Sequence, residues 1–181
     1  MGSGEGLCVF PTPIGICAIA WRADLVVGAQ LPEADARTTL ARMQRRFPDL
    51  MAAPAPAWVR GVTGRIAALL SGESDDLRDV ALDFSSLPPF AQRVYAIARA
   101  IPPGCTCTYG DVARDLGEPG AARAVGRALG DNPFAPIVPC HRILGAGNAG
   151  VGFSAEGGVA TKLKMLQIER ARIGTEPDLF D

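Results

Sequence analysis

Short apolar runs near the amino end of the chain predict a pair of β-strands. Residues 16–21 and 25–31 are rich in Ile, Val, Ala and Leu, and they flank a turn at residues 22–24. Apolar residues then recur three and four positions apart, which predicts a helix over residues 33–47 that Pro48 ends. The chain therefore begins with a hairpin and continues into a helix.

The rest of the first half alternates between linkers and short elements. Residues 51–58 form a Pro/Ala linker, and residues 80–84 predict a short strand. Between them lies a second helix, whose apolar face carries Val62, Ile66 and Leu69. The Ser/Pro segment at residues 85–89 marks a domain boundary. The pattern predicts an α+β protein. Its N-terminal domain, residues 1–86, is expected to be an α/β scaffold, and its sequence contains no candidate catalytic or binding residue.

The second half is predicted to be mainly helical. An apolar stripe ends at Pro102 and consists of Phe90, Val94, Ile97 and Ile101. A short helix at residues 109–116 is followed by a Gly-containing turn at residues 117–120 and another helix at residues 121–129. Two helices joined by such a turn have the outline of a helix-turn-helix, although many small helical domains share this spacing.

The helix at residues 121–129 consists almost wholly of small residues, with Arg123 and Arg127 as the exceptions. Small side chains would allow this helix to pack tightly against a neighbouring helix. They would equally allow its backbone to enter the DNA minor groove, which is only about 6 Å wide, and allow one long arginine to reach inward. Composition alone leaves both interpretations open.

A carboxylate interrupts the apolar stripe of the last predicted helix. Leu163, Leu166 and Ile173 lie on one face, and Glu169 falls on the same face. A buried carboxylate is costly unless another part of the fold pairs with it, and His141 is a suitable partner. The alternative is a slightly rolled helix with Glu169 at its solvent edge.

Composition excludes several classes of protein. The 181 residues include 18 basic and 19 acidic side chains, so the net charge of −1 argues against bulk electrostatic attachment to nucleic acid. The amino end lacks the features of a signal peptide, and no run of about 18 apolar residues could cross a membrane. The spacing of the five cysteines is not that of a disulfide framework. With only one histidine in the chain, a zinc site would need unusual ligands. A cytoplasmic protein with reduced thiols and no metal is expected.

The pair Cys140-His141 joins a thiol to the only histidine of the chain. A thiolate is a strong nucleophile, and His141 is the only imidazole that could generate one from Cys140. A buried cysteine beside an incidental histidine would have the same sequence. The pair alone therefore does not decide between a nucleophile and a core residue.

Several motifs of the second half occur together in the order found in one family. Residues 139–143 match an active-site motif Pro-Cys-His-Arg-Val/Ile, residues 108–112 match the start of a helix-turn-helix, and residues 121–126 match its second helix. The remaining matches are Asn132-Pro133, Gly157-Gly158, Lys162 and Glu169. From about residue 88 to residue 173 the chain thus resembles the O6-alkylguanine-DNA alkyltransferases, also called methylated-DNA–protein-cysteine methyltransferases.

The resemblance implies an RNase H-like N-terminal domain and a mainly helical, winged helix-turn-helix C-terminal domain over residues 87–181. It implies a DNA repair enzyme, a methylated-DNA–protein-cysteine S-methyltransferase. The alkyl group of O6-alkylguanine, or of O4-alkylthymine, in double-stranded DNA passes irreversibly to Cys140 after the base has flipped out of the helix. A monomer without cofactor, metal or membrane partner is expected to perform this reaction once.

The resemblance also implies the catalytic roles. Cys140 is the nucleophile, His141 is its base and Glu169 orients His141. Asn132 is the hinge that ties the second helix of the helix-turn-helix to the segment of Cys140, which is expected to be an extended strand.

The implied DNA contacts centre on two side chains. Arg123 fills the space that the flipped base leaves, and Tyr109 crowds the adjacent phosphate while its hydroxyl reaches the guanine. The groove surface is assigned to Ala121, Ala122, Gly126 and Arg127. The guanine edge is assigned to backbone groups of Cys140 and Ile143 and to the closing loop that contains Ser154.

Two segments depart from the family pattern. The loop at residues 152–158 is longer than Gly-Tyr-Ser/Ala-Gly-Gly and has Phe153 in place of the tyrosine. Gly130-Asp131 occupies a position that is basic in some members. The size of alkyl group accepted and the affinity for DNA are therefore left open.

Three other functions share part of this pattern. A non-catalytic lesion-binding protein of the alkyltransferase-like group would lack Cys140. A cysteine hydrolase would use Cys140 and His141 but leaves Arg123 and Tyr109 without a role. A DNA-binding regulator would use the helix-turn-helix and leave residues 139–142 unexplained.

Overall fold

The computed structural model describes residues 4–145 and 158–171. The first half contains a three-stranded antiparallel sheet in the order β1-β2-β3 and two helices. These elements are β1 (Glu5–Thr12), β2 (Gly15–Arg22), β3 (Leu25–Gln30), α1 (Ala36–Arg46) and α2 (Ala57–Leu69).

The second half is mainly helical, with one two-stranded parallel ladder between β4 and β5. Its elements are α3 (Pro89–Arg99), β4 (Cys107–Thr108), α4 (Tyr109–Asp115), α5 (Ala122–Gly130), a 3-10 turn (Cys140–Arg142), β5 (Ile143–Leu144) and α6 (Val159–Ile168). The protein is therefore a mixed α+β fold, as the sequence predicts. No helix in the two described stretches is long and apolar enough to cross a membrane.

The predicted hairpin is confirmed, but it is part of a larger sheet. Strand β1 was not predicted because Gly6 and Pro11 interrupt its apolar residues. It forms because it pairs with β2 along its whole length, from Glu5 opposite Arg22 to Thr12 opposite Gly15. Cross-strand pairing thus overrides a weak local pattern.

Two predictions for the first half are wrong: the start of helix α1 and the strand at residues 80–84. Helix α1 begins at Ala36 rather than at residue 33, because the Asp35 carboxylate accepts a hydrogen bond from the Thr38 N–H at 2.7 Å and caps the helix there. The strand predicted at residues 80–84 is only a single bridge between Leu82 and Val26. The segment runs beside β3 at this point, where the Val26 N–H donates to the Ala81 carbonyl and the Asp83 N–H donates to the Val26 carbonyl, both at 2.9 Å.

Helix α3 is rolled relative to its predicted stripe. Its buried residues are Ala91, Val94, Tyr95 and Ala98, whereas Phe90 and Ile97 are half-buried. The Tyr95 hydroxyl donates a hydrogen bond of 2.6 Å to the Ala128 carbonyl of α5. The alanines allow close packing, so the helix orientation is set by this neighbour rather than by the largest side chains.

One apolar core extends through both halves of the chain. Phe84 packs against Tyr95 and Phe134, with ring centroids 6.0 and 5.7 Å away. The Ala29 N–H of β3 also donates to the Pro133 carbonyl at 2.9 Å. The segment that follows α5 is therefore held against the N-terminal sheet, while the boundary at residue 86 stays a prediction.

The α4–α5 pair has the predicted outline. Thr108 and Asp111 form a reciprocal capping box that fixes the start of α4. Gly117 ends this helix with a φ of +75°, which a glycine adopts without strain. The two helices pack on each other.

A glycine pair tests the packing between β3 and α1. A Cβ at Gly28 would lie 2.6 Å from the Phe47 ring, whereas a Cβ at Gly64 in α2 meets nothing within 4 Å. We expect Gly28→Ala to lower the free energy of unfolding by about 1–3 kcal/mol through overpacking. Gly64→Ala, the control, should raise it by up to about 1 kcal/mol through helix propensity. Urea denaturation measures both, and equal effects would contradict the packing.

Candidate active site

Cys140 lies at the start of the 3-10 turn Cys140–Arg142, which Pro139 precedes. The Arg142 N–H donates to the Pro139 carbonyl at 3.0 Å, and strand pairing with β4 begins only at Ile143. The prediction of an extended strand at Cys140 was therefore wrong. The backbone amides of Cys140 and His141 lower the pKa of the thiol and so favour the thiolate.

The predicted pairing of His141 with Glu169 is confirmed. His141 Nε2 lies 2.7 Å from Glu169 Oε1, and the two side chains are only 1% and 4% exposed. The alternative, in which Glu169 sits at the solvent edge of its helix, is excluded by this burial. Glu169 is the C-cap residue of α6, so the end of this helix delivers the carboxylate to the turn.

Arg142 is a further member of the site that sequence reasoning missed. Its buried guanidinium binds both Glu169 oxygens, with Nε to Oε2 at 2.9 Å and Nη2 to Oε1 at 2.7 Å. Nη1 also donates to the Ile101 carbonyl at 2.9 Å. Its place in the Pro-Cys-His-Arg motif was the signal that could have identified it. A two-point ion pair fixes the carboxylate plane more firmly than one hydrogen bond would.

These contacts determine the protonation state of His141. Burial alone would raise the pKa of Glu169, but hydrogen bonds from His141 and Arg142 outweigh it and lower that pKa to about 2. Burial lowers the pKa of His141, so its imidazole is neutral near pH 7. Because Glu169 is ionised, Nε2 carries the hydrogen. Nδ1, which has no hydrogen-bond partner within the described ranges, keeps its lone pair and can accept a proton.

Asn132 links the end of α5 to the Cys140 turn. Its Nδ2 donates to the Val138 carbonyl at 2.8 Å, and the Cys140 N–H donates to the same carbonyl at 2.9 Å. Its Oδ1 accepts from the Phe134 N–H at 2.9 Å. The geometry is therefore that of the predicted hinge.

The thiol of Cys140 is protonated at rest, because burial raises its pKa. A hydrogen bond from the Asn132 side chain and the positive charge of Lys162 act in the opposite direction. The site thus holds a neutral thiol next to groups that stabilise its anion. Transfer of its proton to a base is what the arrangement requires.

Lys162 is the second residue that sequence reasoning left without a role. It is 1% exposed, and its Nζ donates to the Ile143 carbonyl at 2.7 Å and lies 5.8 Å from the centre of the Tyr109 ring. The buried face of α6 carries Lys162, Met165 and Leu166, whereas the predicted stripe residue Leu163 is exposed. Lys162 lies seven positions before Glu169, and this helical spacing was the available signal.

The polar face of α5 is open. Arg123 and Arg127 are exposed, Ala121 and Ala122 are half-buried, and a Cβ at Gly126 would meet nothing within 4 Å. The helix packs on the protein through Val125 and Leu129. Close packing against a neighbouring helix, one of the two interpretations that the composition allows, therefore does not explain Gly126.

The remaining predicted site residues are partly accounted for. Tyr109 is half-buried at the start of α4, and burial raises the pKa of its phenol, so it stays protonated. Ile143 is buried in β5. Ser154, the loop at residues 152–157 and Ile173 lie outside the described residues. Within the described parts, no cluster of three or more His, Cys, Asp or Glu could hold a metal ion.

Removal of one charge from the buried ion pair should cost more than removal of both. Glu169→Gln leaves the Arg142 guanidinium buried and unpaired, so we expect a loss of about 3–5 kcal/mol in the free energy of unfolding. The double variant Arg142→Met/Glu169→Leu should lose less. As a control, Glu118→Gln breaks an exposed contact with Arg93 at 3.5 Å and should change stability by less than about 1 kcal/mol. Additive losses in urea titrations would contradict the pairing.

The comparisons with known proteins agree on one family. Residues 89–171 match the family described as "6-O-methylguanine DNA methyltransferase, DNA binding domain". A methylated-DNA–protein-cysteine methyltransferase of Mycobacterium tuberculosis is 41% identical over 128 residues, which is 71% of this chain and 75% of that protein. The protein of the same name from Mycolicibacterium paratuberculosis is 33% identical over 173 residues, 94% of this chain and 95% of the relative.

A solved structure extends the similarity to nearly the whole fold. The crystal structure of Mycobacterium tuberculosis OGT in complex with DNA matches with a TM-score of 0.73 at 33% identity, and the match covers 97% of this chain and 99% of the other. The archaeal O6-methylguanine-DNA methyltransferase of Pyrococcus kodakaraensis matches with a TM-score of 0.66 at 25% identity over 91% of this chain and 98% of the other. Sequence and structure together show that the chain belongs to the methylated-DNA–protein-cysteine methyltransferase family.

Proposed function

We propose that this protein repairs DNA by moving the alkyl group of O6-alkylguanine onto its own Cys140. The observation that carries the proposal is a buried thiol beside a neutral, Glu169-oriented imidazole, next to a helix with an open face of small residues. The M. tuberculosis relative, whose structure is described as a complex with DNA, adds support for a DNA substrate. The membership of the family supports the reaction itself.

The reaction begins with proton transfer from Cys140 to His141. Nδ1 of His141 accepts the thiol proton, with a water molecule as the expected carrier, and Glu169 stabilises the resulting imidazolium. The thiolate is stabilised by the Asn132 side chain and the charge of Lys162. Because these groups are already in position, little reorganisation is needed when the charge develops.

The thiolate then attacks the alkyl carbon. A carbon–sulfur bond forms as the carbon–O6 bond breaks, and the departing guanine accepts one proton, for which Tyr109 is the candidate donor. The products are S-alkylcysteine and unmodified guanine. A thioether is a poor electrophile, so each protein molecule acts once.

The base must leave the helix to meet the thiol, because O6 inside a duplex cannot reach a buried side chain. We assign α5 to the minor groove, with Ala121, Ala122 and Gly126 against the backbone, and Arg123 to the space left by the base. The Ile143 carbonyl, which already accepts from Lys162, keeps a second lone pair for the guanine edge. Tyr109 crowds the neighbouring phosphate.

The finer features of the proposal follow the family. They include an RNase H-like N-terminal domain over residues 1–86 and a winged helix-turn-helix domain over residues 87–181. The protein is further proposed to be a cytoplasmic monomer that also accepts O4-alkylthymine as a substrate. The alkyltransferase-like binding proteins and the cysteine hydrolases remain as contrasts, and the next experiment separates both from the proposed reaction.

Intact-mass measurement tests the single-use reaction. After incubation with a duplex that contains O6-methylguanine, we expect the protein to gain one methyl group on Cys140 and to repair one lesion per molecule. Cys140→Ser should repair none. Repeated turnover would indicate a hydrolase, and binding without any mass change would indicate a lesion-binding protein.

Two arginines of α5 should behave differently. Arg123→Ala should slow repair of duplex DNA much more than reaction with a free O6-alkylguanine base, because only the duplex requires the base to be displaced. Arg127→Ala should weaken binding to undamaged duplex and lower the salt dependence of that binding, with little change in the rate at saturation. Equal losses on duplex and free base for Arg123→Ala would remove its assigned role.

A further inference from the structure

Arg46 of α1 connects the N-terminal domain to the hinge of the active site. Its Nη2 donates to the Pro133 carbonyl at 2.8 Å and its Nη1 donates to the Ala29 carbonyl of β3 at 3.2 Å. The Ala29 N–H donates to the same Pro133 carbonyl at 2.9 Å. Pro133 directly follows Asn132, so both donors act one residue away from the hinge side chain.

The surroundings of Arg46 are unusual for a cation. Its side chain is half-buried, and burial together with the nearby charge of Arg42 lowers its pKa to about 10. Within the described stretches, its hydrogen bonds go to backbone carbonyls and no carboxylate pairs with it. Partial removal of a cation from water without an acid to pair with it is costly, so a purely stabilising role does not explain this arrangement well.

The packing around Arg46 depends on a glycine. A Cβ at Gly28 would lie 3.1 Å from Arg46 Nη2, so the bare backbone of β3 leaves room for the guanidinium to pass. Arg46 also lies over the Phe47 ring, 5.3 Å from its centre. The side chain is thus held in one direction, towards the hinge.

A short series of hydrogen bonds leads from Pro133 to the nucleophile. Asn132 accepts from the Phe134 N–H, and it donates to the Val138 carbonyl that also receives the Cys140 N–H. A cleft of about 250 Å³ is lined by Arg46, Asn132 and Cys140 together with Gln30 and Arg42. A shift of Pro133 would therefore move Asn132 relative to the thiol.

We propose that Arg46 is a positioning residue for the alkyl-transfer reaction: it holds the Pro133 carbonyl so that Asn132 is fixed against the Cys140 turn. This inference rests on the proposed function and gives the N-terminal domain a part in it. Arg46 does not touch the substrate. Its effect passes through the hinge backbone alone.

The test compares Arg46→Met, Arg46→Lys and Arg42→Met. Methionine keeps the length of the side chain and removes every donor, whereas lysine can reach one carbonyl but not two. Arg42 lies one turn earlier on α1, lines the same cleft and pairs with Glu33 rather than with the hinge, so Arg42→Met is the matched control.

The first measurement is the single-turnover rate on saturating O6-methylguanine duplex, corrected for the folded fraction from urea titrations. Arg46→Met should lower this rate about tenfold or more, since a displacement of about 1 Å at a positioned group can reduce a rate about a hundredfold. Its Kd for undamaged duplex should be unchanged. Arg46→Lys should recover part of the rate, and Arg42→Met should react like the wild type.

The second measurement is independent of methyl transfer. Hydrogen exchange at the amides of Phe134 and Val138, which are bonded around the hinge, should be faster in Arg46→Met and unchanged in Arg42→Met. If the wild type transfers no methyl group, the proposed function fails while this exchange still decides whether Arg46 holds the hinge.

Three results would overturn the inference. A wild-type rate for folded Arg46→Met would leave Arg46 with a structural role only. A weaker Kd with an unchanged saturated rate would make it a DNA contact. Unchanged hydrogen exchange at the hinge would remove the proposed path from Arg46 to Asn132.

Discussion

The site depends on the interaction of the buried Glu169 carboxylate with His141 and Arg142. The carboxylate joins the end of α6 to the 3-10 turn of Cys140 through His141 and Arg142. Burial of the Glu169 carboxylate is tolerated because both partners are present. Without Arg142 its negative charge would be unpaired, and without His141 one of its hydrogen bonds would be lost. The same pairing sets the tautomer of His141, so stability and reactivity share one set of contacts.

The active-site turn is also held from the opposite direction. Asn132 ties the end of α5 to the Val138 carbonyl, and Arg46 ties the next residue, Pro133, to the N-terminal sheet. Cys140 is thus held between α6 on one side and the Asn132–Pro133 segment on the other. Such two-sided support explains how a buried thiol can keep a defined position next to groups that favour its anion.

Helix α5 combines an apolar face that packs in the core with an outer face that stays thin and basic. Val125 and Leu129 anchor it in the core, while Gly126 and the exposed arginines leave its outer face thin and basic. A helix interior pays for glycine with conformational entropy. Open space around Gly126 means that no internal contact offsets this loss, which agrees with a surface shaped for an external partner.

The sequence by itself determined the hairpin, most of the helices and the Cys140-His141 pair, because these depend on local periodicity and motif spacing. It left open whether Glu169 is buried, and the contacts of Glu169 with His141 and Arg142 decided this. Strand β1 depended on pairing with β2, which periodicity does not encode. The 3-10 turn at Cys140 is closed by the bond from the Arg142 N–H to the Pro139 carbonyl, and apolar periodicity does not reveal such a turn either. The same holds for Arg46, whose partners include a carbonyl 87 residues away. Contacts between a side chain and a remote backbone carbonyl leave no pattern in the chain, so only the tertiary structure decided them.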